Sequence, residues 1–311
     1  MIRAGIFGLG RIGHGFGTAS SGDPLCHSES YARVPSVVLA LGVDPDGAAR
    51  ARFATRFPGA VVAAEAPAGT EPIIDVASIA TPAPARAASV DAALRSGARV
   101  ILAEKPLAPS TVEAAAIAAR CREAGAILLV NYSRRWTPML HALRTAVRSD
   151  GALGPPLGAS IRFTGGLVHN GTHWIDLLAA VLGPPASSRR EDGQLTLRFV
   201  TGCTARLTEL TDVGWSGGEG EFWSARGMLR FAASGQRVTF QARCPSAWNG
   251  FAALGPERHL VPPGEGLRGH LLGAVREAVR LASAERPGRP TCGAEEALHA
   301  LAIAEQAEAA S

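Results

Sequence analysis
The chain has almost no lysine: among its 31 lysine and arginine residues only Lys105 is a lysine. Aromatic residues are also scarce, at 5% with two tyrosines, which removes the stacking platforms that hold single-stranded nucleic acid. The arginines are scattered apart from the pairs Arg134-Arg135 and Arg189-Arg190, and a formal net charge of +4 is small for 311 residues. No nucleic-acid footprint is therefore expected. Cys26, Cys121, Cys203, Cys244 and Cys292 are odd in number, widely spaced and without a C-x-x-C. That argues against a disulfide framework and a zinc site, and fits a reducing cytoplasm. No apolar run approaches membrane-spanning length, and Met1 leads straight into the strand-like Ile2-Arg3-Ala4-Gly5-Ile6-Phe7 rather than a charged and then apolar leader. Neither membrane insertion nor secretion is expected. With 47% hydrophobic and 19% charged residues the chain reads as a cytoplasmic globular protein whose partner is a small molecule.

At this length two domains are expected, each with its own core. The first half alternates short apolar strands, near 2–8, 36–43, 61–64, 73–80, 98–103 and 126–131, with alanine-rich helical stretches at 45–57, 84–96 and 110–124. That alternation predicts an α/β doubly wound parallel sheet covered on both faces. The link between the third and fourth strands is too short for a full helix, and the connection from Gly13 to the second strand is long. After about residue 130 the texture changes to α+β: a helix near 137–148, a strand across 157–165, a helix at 171–182, and alternating polar and apolar segments over 186–243 that predict a largely antiparallel sheet with one buried face. The Gly/Pro-rich 249–269 reads as a surface loop, and helices near 270–283 and 293–309 close the chain. The expected division is a dinucleotide-binding domain over 1–130 and a substrate-binding and oligomerisation domain over 131–311, with its C-terminal helices able to pack back on the first.

Lys105 draws attention through its place as well as its rarity. It lies in Ala103-Glu104-Lys105-Pro106, at the end of the apolar run Arg99-Val100-Ile101-Leu102-Ala103, so a buried strand delivers it to the sheet edge where ligands bind in open α/β folds. A lysine ammonium changes its proton affinity on burial and an arginine does not, which makes Lys105 a candidate for proton-coupled chemistry. Survival of one lysine by chance in an arginine-biased composition is the alternative. Gly8-Leu9-Gly10-Arg11-Ile12-Gly13 matches G-x-G-x-x-G directly after the first strand. Gly8 would make the tight turn, Gly10 admit a pyrophosphate and Gly13 allow close packing. Asp44, ending the second strand, is placed to bind ribose hydroxyls and to repel the extra phosphate of NADP, which favours NAD. It could equally open the turn Asp44-Pro45-Asp46-Gly47, and its distance from Gly13 exceeds the usual interval. Ala80-Thr81-Pro82 would let a flat ring approach the backbone. Further on come Asn131-Tyr132-Ser133-Arg134-Arg135 and the run from Gly165 to Leu178, which holds His169, Asn170 and His173. His173 suits a general acid or base, since imidazole exchanges protons near neutrality, although a structural histidine is the commoner case. His169 and His173 with Asp176 could also form a metal site, but H-E-x-x-H is absent and no cysteine clusters nearby, so no metal is expected.

Taken in order, G-x-G-x-x-G, A-T-P, E-K-P, N-Y-x-R-R and G-x-H-x-x-D resemble the glucose-fructose oxidoreductase and inositol dehydrogenase (Gfo/Idh/MocA) family over essentially the whole chain. The resemblance implies an N-terminal Rossmann domain followed by an open-faced sheet domain. It implies that Lys105 hydrogen-bonds the reacting hydroxyl or carbonyl, that His173 is the general acid or base, and that the peptide before Pro106 is cis. His169 stands where many sugar and polyol dehydrogenases of the family carry an aspartate, which implies a different proton relay or substrate preference.

The expected function is NAD(H)-dependent hydride transfer to or from a secondary alcohol or ketone of a sugar, cyclitol or nucleotide-linked sugar. Lys105 and His173 would be catalytic. Gly8, Gly10, Arg11, Ile12, Gly13, Asp44, Ala80, Thr81, Pro82, Glu104 and Lys105 would bind the cofactor. Lys105, Asn131, Arg135, His169, Asn170 and His173 would bind substrate. Redox-assisted glycoside cleavage and a non-catalytic NAD-binding sensor or scaffold are the alternatives. A homodimer or homotetramer is expected through the exposed face of the second sheet, with Leu229, Phe231, Val238 and Phe240 as its apolar positions.

Overall fold
The computed structural model describes residues 1–67, 71–246 and 251–310. They form two compact units, Met1–Trp136 with Gly269–His299, and Thr137–Arg268 with the chain from Ala300. Among the described residues no helix is long and apolar enough to cross a membrane.

The first unit is built on six parallel strands, β1 (Ile2–Phe7), β2 (Val37–Val43), β3 (Val61–Ala63), β4 (Val76–Ile79), β5 (Val100–Glu104) and β6 (Ile127–Asn131), in the order β3-β2-β1-β4-β5-β6. This is the doubly wound dinucleotide-binding order, and its switch point falls between β1 and β4. Strands covered on both faces become unbroken apolar runs, and β4 is buried at all four of its residues. The crossovers are carried by α1 (His27–Ala32), α2 (Gly47–Arg56), α3 (Arg86–Arg95) and α4 (Thr111–Glu123). Side-chain caps start two of them, α2 and α4: Asp46 accepts from Ala48 N at 2.9 Å, and Ser110 pairs reciprocally with Glu113, taking its N–H at 3.2 Å and donating to its carboxylate at 2.9 Å.

Two features depart from the simple pattern. The G-x-G-x-x-G run opens only a five-residue π-type turn, Arg11–Gly15, in which Gly10 O accepts from both His14 N and Gly15 N at 2.9 Å. Glycines at 13, 15 and 17 remove helix propensity where a long helix would otherwise begin. The chain then runs through an isolated Thr18–Pro24 bridge before reaching α1. The second feature is α7 (His270–Ser283). Its Ala274, Val275, Ala278, Val279, Leu281 and Ala282 share one buried cluster with Ala4, Ile6, Val76, Val100, Leu102 and Leu129. Gly269–His299 is thus part of the first unit, a placement that the apolar stripe of the helix alone does not specify.

The second unit contains α5 (Pro138–Val147), α6 (Thr172–Leu182) and eight strands: β7 (Gly158–Phe163), β8 (Pro185–Glu191), β9 (Gln194–Phe199), β10 (Thr204–Glu209), β11 (Gly218–Ser224), β12 (Gly227–Ala232), β13 (Arg237–Pro245) and β14 (Ala252–His259). Their order is β14-β13-β12-β11-β7-β10-β9-β8, antiparallel except for the β7–β10 pair. The final helix is α8 (Ala294–Ala309). Trp174 of α6 stacks on Phe231 with centroids 5.5 Å apart and planes 15° from parallel, while a Cβ at Gly218 would overlap its ring. The sheet's apolar face lies against this helix.

Two expectations are corrected here. Leu229, Phe231, Val238 and Phe240 are not an outward apolar surface: each is at most 3% exposed and belongs to the interior face. On the opposite face, Arg162 of β7, Glu219 and Glu221 of β11 and Arg230 of β12 lie side by side, with Arg230 paired to Glu219 at 3.1 Å. Alternation reveals that a strand has two faces, but the packed helix decides which face is interior. The stretch read as a surface loop contains β14, whose residues are almost all exposed. An edge strand with neither face covered shows no alternation, and Gly255 and Pro256 resemble loop residues. Asn249 and Gly250 lie outside the described residues.

Candidate active site
In the first unit the motif glycines converge on the switch point. Gly8 has φ +91°, and a Cβ there would come within 2.8 Å of the Ala80–Thr81 peptide. A Cβ at Gly13 would overlap Gly8 O, whereas Gly10 is exposed with open space where its Cβ would be. Turn, close packing and an open backbone surface therefore occur in the order that a bound pyrophosphate requires, so these residues fit a dinucleotide. Ile12 is half-buried in the same turn, and the Arg11 guanidinium lies 4.6 Å above the Phe16 ring. Asp44 is held at the mouth of this loop: its Oδ2 accepts from Leu9 N at 2.6 Å and its Oδ1 from Asp46 N at 2.8 Å. The two sequence readings of Asp44 are thus compatible, because one carboxylate both organises its turn and faces the glycine loop.

Across the switch point, Ala80 N donates to Phe7 O at 2.7 Å, which locks the Ala80-Thr81-Pro82 turn to the end of β1. The Thr81 hydroxyl donates to Ser89 at 3.1 Å. Beside this turn, β5 ends at Glu104, and the Lys105–Pro106 peptide is cis. Lys105 is half-buried. Burial pushes its ammonium down to about 8; Glu104 opposes that shift, while Arg134 and Arg86 add to it. A lysine poised there can both give and take a proton near neutral pH.

Glu104 anchors a buried polar chain. Its Oε1 meets His27 Nε2 at 3.1 Å and accepts from Asn131 Nδ2 at 2.6 Å. His27 Nδ1 meets Ser78 Oγ at 2.8 Å, and Ser78 Oγ meets Tyr31 Oη at 3.0 Å. His27, Ser78 and Tyr31 are at most 1% exposed. The Glu104 carboxylate can only accept, so His27 donates to it through Nε2; with a neutral imidazole, Nδ1 then accepts from Ser78, which in turn accepts from Tyr31. Burial pushes the Glu104 carboxyl up, but the bond from His27, with help from Asn131 and Arg86, outweighs burial and holds it below the usual carboxylate value. The residue preceding Lys105 is therefore a fixed anion.

The remaining candidates are placed as follows. Arg135, in the turn after β6, donates from Nη1 to Thr291 O at 2.9 Å, so part of its fork is already engaged. In the second unit, Gly165 and Gly166 at φ +88° and +84° lead into a π-type turn, Leu167–Gly171. Glu209 accepts from Gly166 N at 2.7 Å, and Asn170 Nδ2 donates to Thr164 O at 2.6 Å, so the Asn170 amide shapes this turn. His169 is exposed, His173 on the first turn of α6 is half-buried, and Asp176 is interior to the helix packing at 1% exposure. Sequence reasoning missed His27, Tyr31 and Arg86. Each is a buried polar side chain on a helix; the partners of His27 and Tyr31 lie on strands remote in sequence, with His27 and Glu104 77 residues apart, while Arg86 reaches Glu104 O and Pro106 O as well as the nearby Thr81 O.

Residues 2–132 match the profile of an oxidoreductase family with an NAD-binding Rossmann fold, GFO_IDH_MocA. D-apiose dehydrogenase of Paraburkholderia graminis is 37% identical over 90 residues, which span 29% of this chain and 24% of that enzyme. Among solved structures, an oxidoreductase from Agrobacterium radiobacter in complex with NAD+, L-tartaric acid and magnesium aligns over 99% of this chain and 96% of its own, with 18% identity and a TM-score of 0.75. UDP-N-acetylglucosamine 3-dehydrogenase from Acidithiobacillus ferrooxidans aligns over 99% and 97%, with 19% identity and a TM-score of 0.73. These two likenesses extend the shared fold beyond the Rossmann segment. Over residues 2–132 the chain is thus similar to the NAD-binding Rossmann segment of the Gfo/Idh/MocA oxidoreductases.

Proposed function
We propose that this protein is an NAD(H)-dependent oxidoreductase acting on a secondary alcohol or ketone of a sugar, cyclitol or nucleotide-linked sugar. The observation that carries the reading is Lys105: the sole lysine, half-buried after β5, with its proton affinity lowered to about 8. The sugar-directed relatives D-apiose dehydrogenase and UDP-N-acetylglucosamine 3-dehydrogenase support the substrate class. Gly8, Gly10, Arg11, Ile12 and Gly13 would hold the pyrophosphate, Asp44 the adenosine ribose, and Ala80, Thr81, Pro82 and Glu104 the nicotinamide end. The nicotinamide, when bound, supplies a hydride acceptor or donor. Lys105 hydrogen-bonds the substrate oxygen and His173 exchanges its proton. Asn131, Arg135, His169 and Asn170 orient the remaining hydroxyls. A panel of sugars, cyclitols and sugar nucleotides scored by NADH absorbance tests this. Net change with one of them supports the reading; product release with recycled cofactor would instead indicate redox-assisted glycoside cleavage, and neither would indicate a sensor or scaffold.

The cofactor preference rests on Asp44. A carboxylate fixed by two backbone N–H groups leaves acceptor lone pairs for a ribose diol and repels a phosphate there. NADH is expected to bind at least about tenfold more tightly than NADPH, since juxtaposed like charges cost more than ~1.4 kcal/mol. Fluorescence titration giving equal affinities would remove Asp44 from the ribose site.

A homodimer or homotetramer remains the proposed assembly, now through the polar outward face bearing Arg162, Glu219, Glu221 and Arg230 rather than through an apolar one. Arginine and glutamate in adjacent rows can be matched by a two-fold copy of the same surface. Light scattering at micromolar concentration is expected to give twice or four times the chain mass, and a monomer would refute the assembly.

A further inference from the structure
Arg86 opens α3, is 3% exposed, and carries a charge that a protein interior accepts only when it is well bonded. Its hydrogen bonds go to backbone rather than to a carboxylate. Nη1 donates to Glu104 O at 2.5 Å and to Pro106 O, and Nη2 donates to Thr81 O at 2.5 Å. Glu104 and Pro106 are the two neighbours of Lys105, and Thr81 belongs to the turn at the switch point. One guanidinium thus ties together the turns that follow β4 and β5. A planar fork with five donors can span three carbonyls at once; a lysine ammonium, a point donor on a flexible stem, cannot hold them in the same geometry.

We propose that Arg86 is a positioning residue for Lys105: it clamps the carbonyls on either side of the lysine to the Thr81 turn, and so fixes where the ammonium leaves the backbone. The consequence for turnover rests on the catalytic reading of Lys105 given above, whereas the closeness of the Arg86 charge to Lys105 can be measured without turnover. The charged groups that face Lys105 within its unit are Glu104 on β5, Arg134 in the turn after β6, and Arg86 on α3. His27 of α1 faces Glu104. Arg86 and Arg134 favour the neutral amine and Glu104 favours the ammonium, so removing the positive charge at position 86 shifts the balance toward the ammonium.

The sole lysine makes the test direct. Amine-directed labelling of the full-length apoprotein is followed against pH, with Lys105 resolved from the α-amino group by mass spectrometry of its peptide. Only the neutral amine reacts, so the labelling rate rises through the lysine's titration. Wild type is expected to rise near pH 8, the value to which burial lowers the group. Arg86→Gln is expected to move that rise upward by at least about half a pH unit, a shift typical of losing a nearby like charge, and to lower kcat while leaving the Kd for NADH nearly unchanged. Arg86→Lys keeps a charge but loses the three-carbonyl geometry; its labelling should stay near wild type while kcat falls on the order of tenfold, as small misplacements near reacting atoms do. A labelling profile unchanged in folded Arg86→Gln overturns the proposal. Should Arg86→Gln fail to fold, wild-type kcat in Arg86→Lys overturns it. A shifted profile with wild-type kcat in both folded variants also overturns it, whereas wild-type turnover in Lys105→Arg would defeat the catalytic reading of Lys105 instead.

Discussion

Lys105→Arg is expected to lose most of its turnover, by at least about 10²-fold, while binding NADH nearly as wild type does. The substitution is the one this arginine-rich composition would tolerate most readily elsewhere, which makes its failure here informative. Wild-type Lys105 is lowered to about 8 by burial, with Arg134 and Arg86 adding their charge. An arginine cannot answer that environment by releasing a proton, so a third permanent cation would be forced in beside the other two. Its guanidinium is also bulkier than an ammonium and would displace the substrate oxygen. The glycine loop follows β1 and Asp44 follows β2, so the substitution touches neither and cofactor affinity should survive. His173→Ala should lose about 10²–10⁴-fold in rate for want of acid-base help. Labelling offers an independent check: modification of Lys105 should inactivate, and saturating NADH with substrate should protect. Wild-type turnover in Lys105→Arg, or harmless labelling, would end the catalytic assignment.

Trp174→Ala should destabilise the second unit by about 3–5 kcal/mol, the range for removing a large buried aromatic. Trp174 is fully buried, stacks on Phe231, and lies over Gly218, which has no side chain to fill the space left behind. Neighbouring Phe231 and Phe222 are held in β-strands, so collapse into the cavity is limited. Because the chain has two units, unfolding need not be a single transition. Far-UV circular dichroism in urea should show one transition moved to lower denaturant while the other stays in place. An unmoved profile would mean that the apolar face of the sheet is closed by something other than α6.

How much of this was legible beforehand follows from the range of the interactions. The predicted helix at 270–283 coincides with α7, and those at 110–124 and 171–182 are α4 and α6 to within a residue at each end, because periodicity and caps act over a few residues. The parallel sheet was legible because strands buried on both faces become continuous apolar runs. β14 was not, since an uncovered edge strand has no hydrophobic pattern to display. The site divides in the same way. Lys105, Asp44 and the glycines stand out through local motif and turn chemistry. His27, Ser78, Tyr31 and Arg86 do not, because nothing in their own surroundings shows that they are polar groups buried with partners across the fold.

The sequence by itself determined the strand and helix alternation, the glycine turn and the delivery of Lys105 to the carboxyl end of a strand, all consequences of short-range sterics and of periodicity. Only the tertiary structure decided that α7 covers the first sheet, that Leu229, Phe231, Val238 and Phe240 face inward, and that Arg86 bonds the carbonyls of both neighbours of Lys105 while His27 and Asn131 bond the Glu104 carboxylate. Burial and hydrogen bonding between residues dozens of positions apart, such as His27 with Ser78 at a separation of 51, are set by which surfaces pack together, and no local stretch of sequence encodes that choice.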